Sequence, residues 1–348
     1  MKILTIIGAR PQFIKHFPFE KACEGKLELQ TIHTGQHYDA NMSEIFFKQL
    51  GMKKPDFILN TGSGNHGAQT ASMMIEIEQI VLSQKPDGIV VYGDTNSTLA
   101  GALVASKLHV PLFHIEAGLR SFNKKMPEEV NRILTDHVSD MLFIPSEAAE
   151  ANLSNEGITK GVYVIGDIMK DLVKQVKEKG LIRSSPCDDP YYYVTLHRPY
   201  NTDDTSRLKY ILEELNLLRF KVIMALHPRT KNLMKKFELK QESYNNISFI
   251  DPQSYFDNLT YLSFSEGLIT DSGGMQKEAY WLNKKCVTIR TETEWIETVT
   301  LGGNSLLFED LSSMQDSIEK PIEAWDFNLY GDGFAAEHIV DRIVAYFA

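Results

Sequence analysis

Three carboxylates stand where an open parallel sheet would present them to a ligand. Asp94 follows the apolar run Gly-Ile-Val-Val-Tyr at 88–92, which reads as a buried strand. Glu116 follows a second run, Leu-Phe-His-Ile at 112–115, and Glu128 lies in Met-Pro-Glu-Glu-Val-Asn-Arg at 126–132. Open α/β sheets bind ligands outside the carboxyl ends of their strands, so both strand-end acids fall on the ligand edge. One such acid is as readily a helix cap or a solvated loop residue. Three together, with an arginine nearby, point to proton transfer.

Cations and phosphate-binding patterns accompany them. In Gly-Ala-Arg-Pro-Gln-Phe-Ile-Lys at 8–15, Gly8 permits a tight turn and Pro11 suits the first helical position. Arg10 and Lys15, with the helix-terminal N–H groups, could then hold an anion. His197 and Arg198 end one strand of the second half, and His227 and Arg229 end the next. Paired His/Arg strand ends read as a phosphate-facing wall, whose donors would stabilise charge on a departing diphosphate. Asp-Ser-Gly-Gly at 271–274 adds a nest: the amides of Gly273 and Gly274 with the Ser272 hydroxyl, at a helix start. Glu278, on that helix, could accept from ribose hydroxyls, and Arg290 and Glu294 occupy a polar loop that also lines the site. No G-x-S-x-G frames Ser272, which disfavours a nucleophile there. No G-x-G-x-x-G and no Walker lysine occur, so nicotinamide binding and phosphoryl transfer from ATP both lose ground. The acids and histidines have neither facial-triad nor His-Glu-x-x-His spacing. The expected chemistry is acid–base and electrostatic, with no metal and no cofactor.

The elements that must position these groups alternate. Strands are expected at 2–7, 27–33, 88–91, 112–115 and 141–144, separated by helices at 12–23, 43–50, 67–82, 97–108, 128–138 and 147–156. A further strand from 162 leads into a helix at 169–179. After a polar linker at 182–190 the alternation restarts, with strands at 191–196, 221–225, 247–250, 267–270 and 286–289. The expected fold class is α/β: two Rossmann-like doubly wound domains with a cleft between them. The first spans 1–180, the second 188–330. An amphipathic C-terminal helix within 331–348, with Ile339, Ile343, Val344 and Phe347 on one face, needs a surface to cover and could pack back across either domain.

At 348 residues, two domains are the default. Hydrophobic content of 43% with 24% charged residues is ordinary globular composition. A net charge of −10 argues against a nucleic-acid or anionic-membrane binder, yet leaves room for a local basic pocket. Cys23, Cys187 and Cys286 share no metal spacing and are odd in number, as reduced cytoplasmic thiols would be. The first residues read as a strand rather than an export signal, and no stretch reaches membrane-spanning length.

These motifs, in this order, resemble the non-hydrolysing UDP-N-acetylglucosamine 2-epimerases. The resemblance rests on the segments at 8–15, 35–37, 93–98, 114–120, 127–132, 197–198, 271–274 and 293–294, and on Gly-Asp-Gly-Phe-Ala-Ala-Glu at 331–337. It implies the glycosyltransferase-B arrangement with the C-terminal helix at 331–348 packing back on the first domain, a UDP-sugar substrate, a homodimer and no cofactor. It also implies inversion at C2 of the sugar by elimination of UDP to a 2-acetamidoglycal, followed by re-addition, for surface-polysaccharide precursors. Asp94, Glu116 and Glu128 match the family's catalytic carboxylates, and Lys15 and His197 its catalytic cation and donor. Arg10, Ser272, Gly274 and Glu278 match nucleotide-diphosphate contacts. Departures bear on specificity. Trp295 replaces a nucleotide-contacting Arg, and Asn258 stands near the place of an aromatic, leaving Tyr255 or Phe256 for uracil. The segment tied to an activating second UDP-sugar keeps Gln36, His37, His66 and Gln69 but lacks its Arg. These features look like the surface-polysaccharide branch, which includes enzymes for UDP-2,3-diacetamido-2,3-dideoxyglucuronate. A hydrolysing epimerase, a retaining glycosyltransferase and a non-catalytic UDP-sugar module are the competing readings.

Overall fold

The computed structural model describes all residues except 37–50, 63, 183, 323 and 324, and gives Arg10 as backbone only. The expected helix at 43–50 and His37 therefore lie outside the described residues. The chain divides into two compact units, Met1–Lys174 with Asn328–Ala348, and Gln175–Phe327.

In the first unit the order is β1 (Lys2–Ile7), α1 (Arg10–Cys23), β2 (Glu28–His33), β3 (Phe57–Ile58), α2 (His66–Gln84), β4 (Gly88–Tyr92), α3 (Asn96–Leu108), β5 (Leu112–Ile115), α4 (Pro127–Val138), β6 (Met141–Ile144), α5 (Glu147–Asn155) and β7 (Val162–Val164). α6 (Ile168–Glu178) carries the chain over the division, which falls inside this helix rather than after residue 180. The seven strands are all parallel, in the order β3-β2-β1-β4-β5-β6-β7. Helices cover both faces, so β4 is apolar and buried at every position. The strand order reverses between β1 and β4, which makes that edge the ligand-binding crevice of such a sheet.

The second unit repeats the plan with β8 (Tyr191–Leu196), α7 (Pro199–Thr202), α8 (Thr205–Asn216), β9 (Lys221–Leu226), α9 (Pro228–Lys236), β10 (Ile247–Ile250), α10 (Tyr255–Phe264), β11 (Gly267–Thr270), α11 (Gly273–Trp281), β12 (Cys286–Ile289), α12 (Ile296–Thr300), β13 (Asn304–Leu307) and α13 (Met314–Glu319). Its parallel order is β10-β9-β8-β11-β12-β13, with the reversal between β8 and β11. Two strands escape the sequence reading. β3 is only two residues long, and β13 is a half-buried edge strand without a continuous apolar run.

α14 (Ala335–Tyr346) belongs to the first unit and packs on α1. It buries Ile339, Val340 and Ile343, while Tyr346 and Phe347 meet the ring of Phe113 edge-on. The buried face is thus rotated toward Val340, away from the expected Val344. The Asp171 carboxylate of α6 caps the helix start, accepting from the amides of Ala335 (3.0 Å) and Ala336 (2.7 Å).

Candidate active site

Backbone devices set the strand ends of the first unit. The Gln12 side chain reaches back from α1, accepting from the Gly8 and Ala9 amides at 2.8 and 3.0 Å. Its amide group then donates to the Tyr92 carbonyl and the Thr98 hydroxyl, tying the β1 turn to the β4 turn. A Cβ at Gly8 would fall 2.1 Å from the Thr34 hydroxyl and 2.2 Å from that of Ser97, so only glycine admits this closeness. Thr95 caps α3, directing the chain away just after Asp94.

Glu116 has a left-handed backbone, φ 67°, which a non-glycine residue holds at a cost of about 1–3 kcal/mol. The Glu116 and Ala117 amides both donate to the Phe143 carbonyl of β6, which fixes that turn. The Glu116 carboxylate pairs with the Lys15 ammonium, and both side chains are nearly buried. The pair lies over Gly93: a Cβ there would be 3.1 Å from Glu116 Oε2 and 3.4 Å from Lys15 Nζ. Asp94, the next residue, pairs with Arg132 of α4 at 2.6 Å. Burial raises the Asp94 pKa, outweighing Arg132 and Lys15, and the charge of Glu116 adds to the rise. The Asp94 side chain is still 30% accessible, so this protonatable carboxyl is reachable from solvent. Asp94, Glu116 and Lys15 therefore converge at the ends of β4 and β5. Glu128 is exposed on the first turn of α4 and pairs with nothing among the described residues, while its neighbour Glu129 is buried. Glu129 holds the loop before it, accepting from the Ser121 and Phe122 amides, and binds Arg132 at 3.0 Å.

Beneath these groups runs a buried ionic network. His114 Nδ1 lies 2.7 Å from Asp136, and Nε2 lies 2.8 Å from the carbonyl of Gly93, the residue before Asp94. Asp136 also accepts from the Gly118 amide and from Arg120, which grips Glu156 through two 2.7 Å bonds. Burial works against the Asp136 charge, but His114 and Arg120 hold its pKa below the usual range. This network ties the loop carrying Asp94 to the loop after Glu116. Gln36, His66 and Gln69 gather at the start of α3. Gln36 accepts from Ser97, and Asn96 donates to Gln69 and faces His66. Asn131 links this cluster to the site, donating to the Asp94 carbonyl at 2.9 Å.

In the second unit, His197 and His227 end the adjacent strands β8 and β9 with their rings 5.8 Å apart. Arg198 has a buried Nε with no hydrogen-bond partner among the described residues. Arg229 is exposed and committed to Asp203 at 2.5 Å. Ser272 precedes α11 without capping it, and a Cβ at Gly274 would meet open space. Arg290 pairs with Glu294 at 3.0 Å, close to Gly273. Glu278, Tyr255 and Phe256 are buried, and Trp295 is stacked under the Lys277 ammonium, 3.6 Å from its ring centre. Among the described residues no group of three or more His, Cys, Asp or Glu side chains could hold a metal ion. No helix of the described residues is long and apolar enough to cross a membrane.

Two doubly wound parallel-sheet units, one with acids and cations at its switch point and one with histidines and a glycine-rich helix start, define an α/β protein of the glycosyltransferase-B-like fold class. The profile of the UDP-N-acetylglucosamine 2-epimerase family matches residues 21–344. The chain belongs to this family of isomerases. It is 49% identical to the UDP-2,3-diacetamido-2,3-dideoxy-D-glucuronate 2-epimerase of Pseudomonas aeruginosa, over 99% of each chain. It is 43% identical to the UDP-N-acetylglucosamine 2-epimerase of Methanocaldococcus jannaschii, again over 99% of each. The crystal structure of that species' epimerase with UDP-GlcNAc and UDP superposes with a TM-score of 0.89 at 41% identity, covering 99% of this chain and 100% of that one.

Proposed function

We propose that the chain interconverts UDP-N-acetylglucosamine and UDP-N-acetylmannosamine without hydrolysis. A carboxylate removes the C2 proton while the C1–O bond to UDP breaks, leaving a 2-acetamidoglycal. UDP then re-forms its bond to C1, and a proton reaches C2 from the opposite face. The observation that carries this reading is the convergence of Asp94 and Glu116 at the ends of adjacent strands, with Lys15 and Arg132 beside them. Asp94, with its raised pKa, suits holding and releasing a proton. Glu128, exposed on α4, is the third acid of the set. Nucleotide recognition is assigned to the second unit, with Arg198, the α11 start, and His197 and His227 facing the diphosphate. A homodimer is part of the proposal. Ile75 and Leu82 of α2 and Val130 and Leu134 of α4 are exposed apolar residues on two helices that both pack against α3.

A second substrate has one specific support. The P. aeruginosa relative acts on a UDP-sugar uronate, and Lys124 and Lys125 are exposed in the loop just before Glu128, where they could meet a sugar carboxylate. The test supplies each UDP-sugar separately and resolves substrate, C2 epimer, UDP and free sugar by chromatography. Epimerisation of UDP-N-acetylglucosamine supports the proposal, and turnover of the uronate alone transfers it to the second substrate. Free sugar with UDP, or no conversion of either, overturns it.

A further inference from the structure

The mechanism gives no role to the buried acid Asp271. Asp271 follows β11 and is inaccessible to solvent, and its carboxylate meets His197, Arg198 and Asn201, all in the segment just after β8. β8 and β11 are neighbours in register, Thr195 opposite Thr270, so the residues after both strands meet at the switch point of the second sheet. Asp271 Oδ1 lies 3.0 Å from His197 Nδ1. The carboxylate also accepts from the His197 amide at 3.1 Å, the Arg198 amide at 2.9 Å and Asn201 Nδ2 at 3.2 Å. We infer that Asp271 is the positioning residue of His197, fixing the ring with Nδ1–H turned inward and Nε2 turned out toward the leaving diphosphate.

Donors and acceptors fix the orientation of the ring. Burial alone would push the Asp271 pKa up, but the His197 ring, the Arg198 amide and Asn201 together bring it below the usual carboxylate range. An ionised carboxylate only accepts, so the nitrogen facing it carries the hydrogen. Nε2 then remains for the ligand, and the His197 side chain is 37% exposed. A carboxylate behind a histidine sets its tautomer and compensates charge when the ring is doubly protonated. That is the state in which Nε2 donates to a diphosphate gaining charge as the C1–O bond breaks. A purely architectural Asp271 would cap the short helix α7 and leave the ring free to choose either tautomer.

This inference rests on the proposed role of His197, and a double-mutant cycle separates the two. Asp271→Asn, His197→Asn and the double variant are compared by kcat and KM with UDP-N-acetylglucosamine as the probe, and by melting temperature. Asp271→Asn is expected to lower kcat about 100-fold or more, with KM changed by no more than about threefold. In the double variant kcat should be no lower than in His197→Asn alone, because Asp271 acts through the ring. Multiplying losses, or a drop in melting temperature with kcat preserved, overturns the inference and leaves the role of His197 standing. A fully active His197→Asn protein overturns both. Should Asp271→Asn fail to fold, or the probe not turn over, ¹⁵N-histidine spectra of the wild-type chain decide the matter. The neutral His197 ring, assigned by its absence from His197→Asn, should be the Nδ1–H tautomer, and an Nε2–H tautomer overturns the inference.

Discussion

At the residue scale, neighbours distinguish the acids from one another. Glu116 is held against Lys15 on a strained left-handed backbone, whereas burial raises the pKa of Asp94 despite Arg132. Asp94→Asn and Glu116→Gln should each lower kcat by about 10²–10⁴-fold, the usual contribution of an acid–base group. UDP affinity, measured by calorimetry, should stay within about twofold, because the proposed mechanism puts both side chains at the sugar. Turnover close to wild type in both variants would remove proton transfer from the account. Asp94 and Glu116 were legible in the sequence because an apolar run followed by an acid marks a strand end directly. The partnership of Asp271 with His197 was not. It joins positions 74 residues apart, and their adjacency exists only once β11 lies beside β8. Arg132 as the partner of Asp94 was hidden likewise, since it requires α4 to pack beside the β4 turn.

At the element scale, the site depends on loops being tied to one another. Arg120 joins Asp136 to Glu156 beneath both acid-bearing loops and is almost wholly buried. Arg120→Met removes the guanidinium on Asp136, leaving His114 and the Gly118 amide to hold its buried charge, and should destabilise the fold by about 3–5 kcal/mol, read from denaturant midpoints. A cost under about 1 kcal/mol would mean that the network is redundant. The α14 cap makes a different prediction. Burial pushes the Asp171 pKa up to about 7, against the opposing pull of the Ala336 and Ala335 amides, and Glu337 and Asp167 add to the rise. The folded state therefore binds this proton more tightly than the unfolded chain, where an aspartate titrates near 4. Stability from this group should fall as pH rises from about 4 to 7, and be level above that. Asp171→Asn should remove that slope, which melting curves of the two proteins across the range would reveal. An unchanged slope would contradict it. The element pattern was largely readable because buried parallel strands are apolar throughout. β3 and β13 were not, being too short or too exposed at a sheet edge to leave a continuous apolar signal.

At the scale of the whole molecule, two sheets share one strand plan. In the proposed mechanism the first unit supplies the acids and cations that move a proton at carbon. The second supplies donors for the diphosphate. The net charge of −10 conceals this, because Lys15 and Arg132 are each paired locally with an acid. The central claim is that the C2–H bond is broken while UDP leaves and returns. Incubating the protein with UDP-N-acetylglucosamine in deuterated water and following the products by NMR and mass spectrometry tests it directly. One deuterium is expected at C2 in the UDP-N-acetylmannosamine formed, with deuterium appearing over time in the remaining substrate and the nucleotide still attached in both. A C2 epimer that keeps its original hydrogen, or free sugar released with UDP, would contradict it.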